Sequence, residues 1–298
     1  MELDLELAER LKRVLASVEQ LLPKAIEPID WSKCFAANWR CHSFAGYLEP
    51  AQVTDETELD DLLGIDEQKK IVEDNTRQFL AGFPANNILL WGSRGTGKSS
   101  LVRALINTYA PHGLRIIQVD KDDLPFLPDI FAQIRDVAFR FIIFCDDLSF
   151  EEGEKSYKML KSALDGSVYS APENVLIYTT SNRRHLIPEY QKDNIGTYMK
   201  GNEIHHSETI EEKISLSDRF GLWVAFSPFS QDHYLRVVCQ CLQRLAKKHG
   251  KEVTWDQVVE QEALKWSWEK SKRCGRTALQ FARLWVGRKL MTEGDKSA

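Results

Sequence analysis

Gly92-Ser93-Arg94-Gly95-Thr96-Gly97-Lys98-Ser99 follows the apolar run Ile88-Leu89-Leu90-Trp91 and leads into Leu101, Val102 and Leu105, which recur at helical spacing. The stretch fits G-x-x-x-x-G-K-[ST] between a strand and a helix, the context in which this pattern reads as a nucleotide-phosphate loop. Three glycines let the backbone close around an anion. The N–H groups of Ser93, Arg94, Thr96 and the first helical residues, Ser100 among them, then point at phosphate oxygens. Lys98 is placed to reach the β- and γ-phosphates, and the Ser99 hydroxyl to bind Mg²⁺, which takes oxygen ligands in an octahedral shell. ATP and Mg²⁺ are therefore the expected ligands.

About fifty residues downstream, Phe141-Ile142-Ile143-Phe144-Cys145 is a continuous apolar run ending in Asp146-Asp147. Such a run suits a parallel strand buried on both faces, delivering carboxylates at its C-terminal edge. Asp146 suits the Walker B role of holding the metal. Asp147 occupies the place where many ATPases carry the glutamate that orients and deprotonates water, with a side chain one methylene shorter. The shortening predicts slow turnover, or a contribution from Glu151 or Glu152. A third apolar strand, Asn174 to Ser181, ends at Asn182, whose amide can both donate and accept at a water or a γ-phosphate.

In order, spacing and flanks these pieces resemble the AAA+ ATPases from about Leu62 to Arg276. The resemblance implies an adenine pocket lined by the segment Leu62-Leu63-Gly64-Ile65-Asp66-Glu67-Gln68, chiefly Leu63 and Ile65, and makes Asn182 sensor 1. Ser215 to Gly221 resembles the segment carrying the arginine finger, which assigns Arg219 to the γ-phosphate of a neighbouring subunit. Gly275-Arg276 resembles sensor 2, an arginine that touches the same phosphate from a lid. The Asp-Asp ending and the stretch Ser215 to Leu222 look most like a prokaryotic family of predicted ATPases catalogued only as a domain of unknown function. The implied site comprises Asp147, Asn182, Arg219 and Arg276 as catalytic residues, with Ser99 and Asp146 at the metal.

Length and composition accord with this. The chain has 298 residues, 43% apolar and 28% charged, ordinary for a globular protein of about two domains. Its six cysteines contain no C-x-x-C pair, which disfavours a disulfide scaffold or zinc site and suits a reducing cytosol. No stretch reaches eighteen apolar residues, and the acidic N-terminus does not read as a signal peptide, so a cytoplasmic protein off the membrane is expected. Net charge is −5, unevenly spread: residues 229–298 hold 14 Lys and Arg against 8 Asp and Glu. Within them, Lys265-Trp266-Ser267-Trp268-Glu269-Lys270-Ser271-Lys272-Arg273 has two readings. It can touch a phosphate backbone and stack on single-stranded bases, or be a lid face whose tryptophans pack inward and whose charge meets an acidic neighbour. The second is favoured by the sequence.

The fold expected is α/β: a doubly wound parallel five-stranded core with strands at 88–91, 114–119, 140–145, 174–180 and 222–226. Residues 1–61 are expected as a helical N-terminal extension and acidic connector, 62–228 as the nucleotide-binding core, and 229–298 as an all-helical lid. In the extension Leu3, Leu7, Leu11, Val14, Val18 and Leu21 make one helical stripe, and Trp31, Phe35 and Trp39 an aromatic packing cluster. The stripe is expected to pack on its own domain or to pair with another subunit or a client. The polar stretch 185–214 reads as a client- or subunit-contact insertion; a metal set of His205, His206 and Glu208 is the weaker reading. These features predict an ATPase that works between subunits of a homo-oligomer to load, remodel or switch a macromolecular client. The alternatives are a nucleotide-binding switch with little turnover and a small-molecule kinase.

Overall fold

Alternating side chains along consecutive buried strands divide the core between two faces of one sheet. A computed structural model describes residues 7, 10–13, 28–42, 45–53, 57–150, 154–164, 171–184, 186, 198–200, 203–205, 216 and 218–294. The strands β1 (Ala36–His42), β2 (Ala45–Ala51), β3 (Ile88–Gly92), β4 (Leu114–Gln118), β5 (Arg140–Cys145), β6 (Val175–Ser181) and, later in the chain, β9 (Leu222–Phe226) form a seven-stranded sheet. Their order is β2-β1-β4-β5-β6-β3-β9, parallel throughout except for the antiparallel pair β1 and β2. Leu89, Ile117, Phe141, Ile143 and Ile177 face helices α3 (Leu127–Ile134) and α4 (Lys155–Leu164). Ile88, Leu90, Ile142, Phe144 and Tyr178 face α1 (Asp66–Leu80) and α2 (Lys98–Tyr109) on the other side.

The sheet corrects the expectation of five strands and of a helical extension before residue 61. Seven strands are present, and residues 36–51 supply two of them as a mixed edge. The sequence hid them because β1 pairs with β4 over only three residues, Ala36 to Asn38, so no long apolar run marks it. What holds the hairpin is shape: Trp39 lies where a side chain on Gly46 would collide with its ring. Trp31 and Trp39 are buried, Trp31 edge-on to Phe141 at 4.9 Å. Phe35 departs from the expected cluster: it is exposed, with the Arg115 guanidinium 4.9 Å from its ring centre. Arg115 itself is buried and donates to the carbonyls of Trp31, Ala110 and Leu114, tying the segment before β1 to the sheet.

After β9 the chain forms three helices, α5 (Gln231–Lys248), α6 (Gln257–Glu269) and α7 (Gly275–Gly294). Tyr234, Val238, Leu242, Ala263, Phe281 and Ala282 give them a core of their own. Ser230 and Asp256 cap α5 and α6 by accepting backbone N–H bonds, which satisfies otherwise orphaned donors. Within the polar stretch 185–214 lies a short antiparallel pair, β7 (Tyr198–Lys200) with β8 (Glu203–His205). His206 and Glu208 lie outside the described residues, as do Glu151 and Glu152 and most of the N-terminal stripe, whose Leu7 and Leu11 are exposed. Among the described residues no helix is long and apolar enough to cross a membrane, and no cluster of metal-ligating side chains stands apart.

Candidate nucleotide site

The phosphate loop leaves β3 at the sheet's C-terminal edge, where Gly92 (φ 131°) and Gly95 (φ 78°) hold left-handed backbone that disfavours any other residue. A side chain on Gly92 would also strike the Phe226 carbonyl of β9, so the loop starts in contact with its neighbouring strand. Thr96 Oγ1 donates to Ser93 O at 2.8 Å and fixes the turn from inside. Lys98, in the first turn of α2, donates to Gly92 O and Ser93 O at 2.7 Å each and lies 3.4 Å from Asn182 Oδ1. Burial pushes the Lys98 ammonium below its usual range, while Asp147 and Asp146 pull the other way. Ser100, half-buried, follows in the same turn.

Strands β5 and β6 lie side by side in parallel register, which brings residue 146 beside residue 180. Asp146 Oδ1 accepts from Ser99 Oγ at 2.5 Å and from Thr180 Oγ1 at 2.6 Å. Thr180 Oγ1 in turn accepts the Asp147 N–H at 2.8 Å. Asp147 has a left-handed backbone (φ 52°), which turns its carboxylate back over the loop. There it meets the Asn182 amide and, at 3.5 Å, Arg94 Nη2. The Ser99 hydroxyl and Asp146 carboxylate form the hard-oxygen pair that Mg²⁺ prefers, beside the lysine that would meet the phosphates, so these residues fit both Mg²⁺ and ATP.

Two further contacts join the loop to the C-terminal helices. The Gly275 N–H donates to Gly95 O at 2.8 Å, and Arg276, exposed, projects from the start of α7 beside Gly95. On the opposite flank Ile65 is buried, 3.6 Å from the point where a Gly97 side chain would begin. The Leu63 carbonyl bonds His233 Nε2 at 2.8 Å, the imidazole stacks on Phe229 at 3.9 Å, and Arg244 pairs with Asp61 at 2.6 Å. Helix α5 therefore grips the segment before α1.

Of the residues expected at the site, the loop, Ser99, Asp146, Asp147, Asn182, Ile65 and Arg276 converge. Arg219 does not. Leu222 pairs with Ile88 and Phe226 with Gly92, so the start of β9 lies four residues, about 13 Å, from the phosphate end of the sheet, and Arg219 lies on the far side of that start. Sequence reasoning missed Thr180 and His233. The Thr179-Thr180 pair at the end of an apolar strand was the visible signal for the first; the second had none, since its partner lies 170 residues away.

Sheet order, phosphate loop and paired carboxylates define a P-loop fold of the AAA+ type. The chain belongs to the family described as "Protein of unknown function (DUF815)", which matches residues 32–289. No curated protein matches it. Among solved structures, the Thermotoga maritima RuvB Holliday junction branch migration motor is 16% identical, with a TM-score of 0.49 over 78% of this chain and 65% of that one. Two single-substitution variants of that motor match with TM-scores of 0.50 at 16% and 17% identity. At such identity the likeness speaks for the fold alone, and this chain spans about 65% of the motor's length.

Proposed function

We propose that the protein is a Mg²⁺-dependent ATPase that hydrolyses ATP between subunits of a homo-oligomer and uses the cycle to load, remodel or switch a macromolecular partner in the cytoplasm. The observation that carries this reading is the convergence of Ser99, Asp146 and Thr180 beside Lys98, an arrangement suited to a metal-bound triphosphate. Residues 62–228, with the sheet strands of 36–51, serve as the nucleotide-binding core and residues 229–298 as a lid. Lys98 neutralises β/γ oxygens, Leu63 and Ile65 line the adenine side, and Asn182 and Arg276 touch the γ-phosphate. Asp147 accepts the proton of the attacking water, a role that Glu151 or Glu152 can share. Ser99 and Asp146 would hold Mg²⁺, which would supply charge neutralisation at the phosphoryl oxygens. The distance of Arg219 from its own loop supports its use in trans.

A second reading, a nucleotide-dependent switch with little turnover, is favoured by one observation: the short Asp147 side chain is engaged by both Arg94 and Asn182. Phosphate release measured against protein concentration separates the two. A shared-site ATPase gains specific activity as subunits meet; a switch stays near background. Arg219→Ala and Lys98→Ala proteins should each be nearly inactive, and their mixture should recover activity by pairing an intact loop with an intact finger. Full activity of Arg219→Ala alone, in a protein that oligomerises, removes the intersubunit mechanism.

A further inference from the structure

The two tryptophans of the basic stretch near the end of α6 have opposite fates. Trp266 is half-buried against the core of the three C-terminal helices, with the Lys270 ammonium 4.8 Å from its ring centre. Trp268 is 77% exposed. A single open apolar ring is ordinary on a protein surface, so the residues beside it carry the argument. Its flanks in the sequence are cationic on balance: Lys265, Lys270 and Lys272 are exposed and Arg273 is half-buried, against exposed Glu262 and Glu269 on the same helix. The turn after α6 folds the chain back onto the end of the helix. Lys270 N–H bonds Trp266 O, Ser271 N–H bonds Trp268 O, and Lys272 N–H bonds Ser267 O, all within 3.1 Å.

We infer that Trp268, with Lys265, Lys270 and Lys272, is a binding surface for single-stranded nucleic acid, the ring stacking on a base and the ammonium groups meeting flanking phosphates. Complementary charge is the first argument: residues 229–298 carry 14 basic against 8 acidic side chains in a chain that is acidic overall. The second is chemistry. A planar ring with open faces is matched by an unpaired base, and compact ammonium charges suit phosphates strung along a backbone, whereas carboxylates on a protein partner are best met by the arginine fork. A duplex hides its bases from such a ring. The surface is also mechanically linked to the nucleotide site. Six residues after Trp268, Cys274 packs at Gly95, and the next residue, Gly275, bonds Gly95 O. A strand held at Trp268 pulls on the phosphate loop through a single short turn.

The test is fluorescence anisotropy of a labelled oligothymidylate of about 20 nucleotides with the full-length protein, with Trp268→Ala and with the Lys265→Glu, Lys272→Glu pair. Trp268→Ala truncates an exposed ring, so a matched circular dichroism spectrum is expected beside a loss of about tenfold or more in affinity. Wild-type affinity should fall with salt, and the charge-reversal pair should lower the logarithmic salt slope by about 1.4, at roughly 0.7 for each phosphate contact on a single strand. Three results overturn the inference. One is no binding by the wild type at low salt. Another is equal affinity in Trp268→Ala. The last is competition by polyglutamate or by duplex as effective as by unlabelled single strand, which assigns the surface to an acidic protein or to charge alone. Where that equal affinity comes with changed sedimentation in Trp268→Ala, the ring belongs to a subunit contact.

Discussion

Thr180→Val tests the carboxylate network at its least conspicuous member. The hydroxyl is buried and makes two bonds, donating to Asp146 Oδ1 at 2.6 Å and accepting the Asp147 N–H at 2.8 Å. Valine fills the same space with a methyl group and leaves both partners without it. A hydrogen bond to a charged group is worth about 1.5–3 kcal/mol net and a neutral one about 0.5–1.5, so the substitution should destabilise the fold by about 2–4.5 kcal/mol. The functional loss has a different origin. With its carboxylate no longer held from behind, Asp146 loses its orientation toward Ser99, and outer-shell losses of this kind cost roughly 10–100-fold in metal affinity or activity. Phosphate release titrated with Mg²⁺ should show a higher half-saturation and a lower plateau, while binding of ATP without metal changes little. Thr180→Ser keeps both bonds and should restore the Mg²⁺ dependence. A valine variant with the wild-type urea midpoint and an unshifted Mg²⁺ curve would refute the positioning role.

Lys98→Ala should weaken ATP binding by roughly thirtyfold, about 2 kcal/mol, because it removes a desolvated charge partner of the phosphates; Asp146→Asn should spare binding and abolish metal-dependent hydrolysis. Isothermal titration reads both, and wild-type affinity in Lys98→Ala would sink the assignment. Gly95→Ala combines left-handed backbone (φ 78°) with a methyl group 2.7 Å from Cys274 Sγ, so it should displace the start of α7 and reduce nucleotide affinity. Adding Cys274→Ala should recover the part due to the clash; no recovery would leave backbone strain as the whole effect. Burial pushes the Tyr178 hydroxyl up to about 12, against the opposing hydrogen bonds from Thr76 and Asn75. A raised folded-state value means that its contribution is complete below pH about 10 and is lost between there and about 12, at up to about 1.4 kcal/mol per pH unit. Tyr178→Phe should therefore be the less stable protein at pH 8, with a gap in urea midpoint that narrows at pH 11; a constant gap would contradict the burial.

Much of the nucleotide site was legible because its parts are local. Gly92 to Ser99 carries its own instructions: glycines for left-handed backbone, a lysine one residue into a helix, and an apolar strand before it. Asp146 could be placed because a fully buried strand reads as an unbroken apolar run whose end marks the sheet's polar edge. Those inferences need only periodicity and the geometry of one strand and one helix.

Tertiary structure alone decided the features that depend on which strands and helices become neighbours. Thr180 acquires its role because β6 lies beside β5, a pairing that no local pattern encodes. The hairpin at 36–51 joins the sheet through shape, Trp39 over Gly46, with little apolar alternation to announce it. Trp266 and Trp268 stand two residues apart in the sequence, yet one packs inward and the other faces solvent, because two residues along a helix turn a side chain through about 200°. Only the packing of α6 against α5 and α7 fixes which of those directions is the inside.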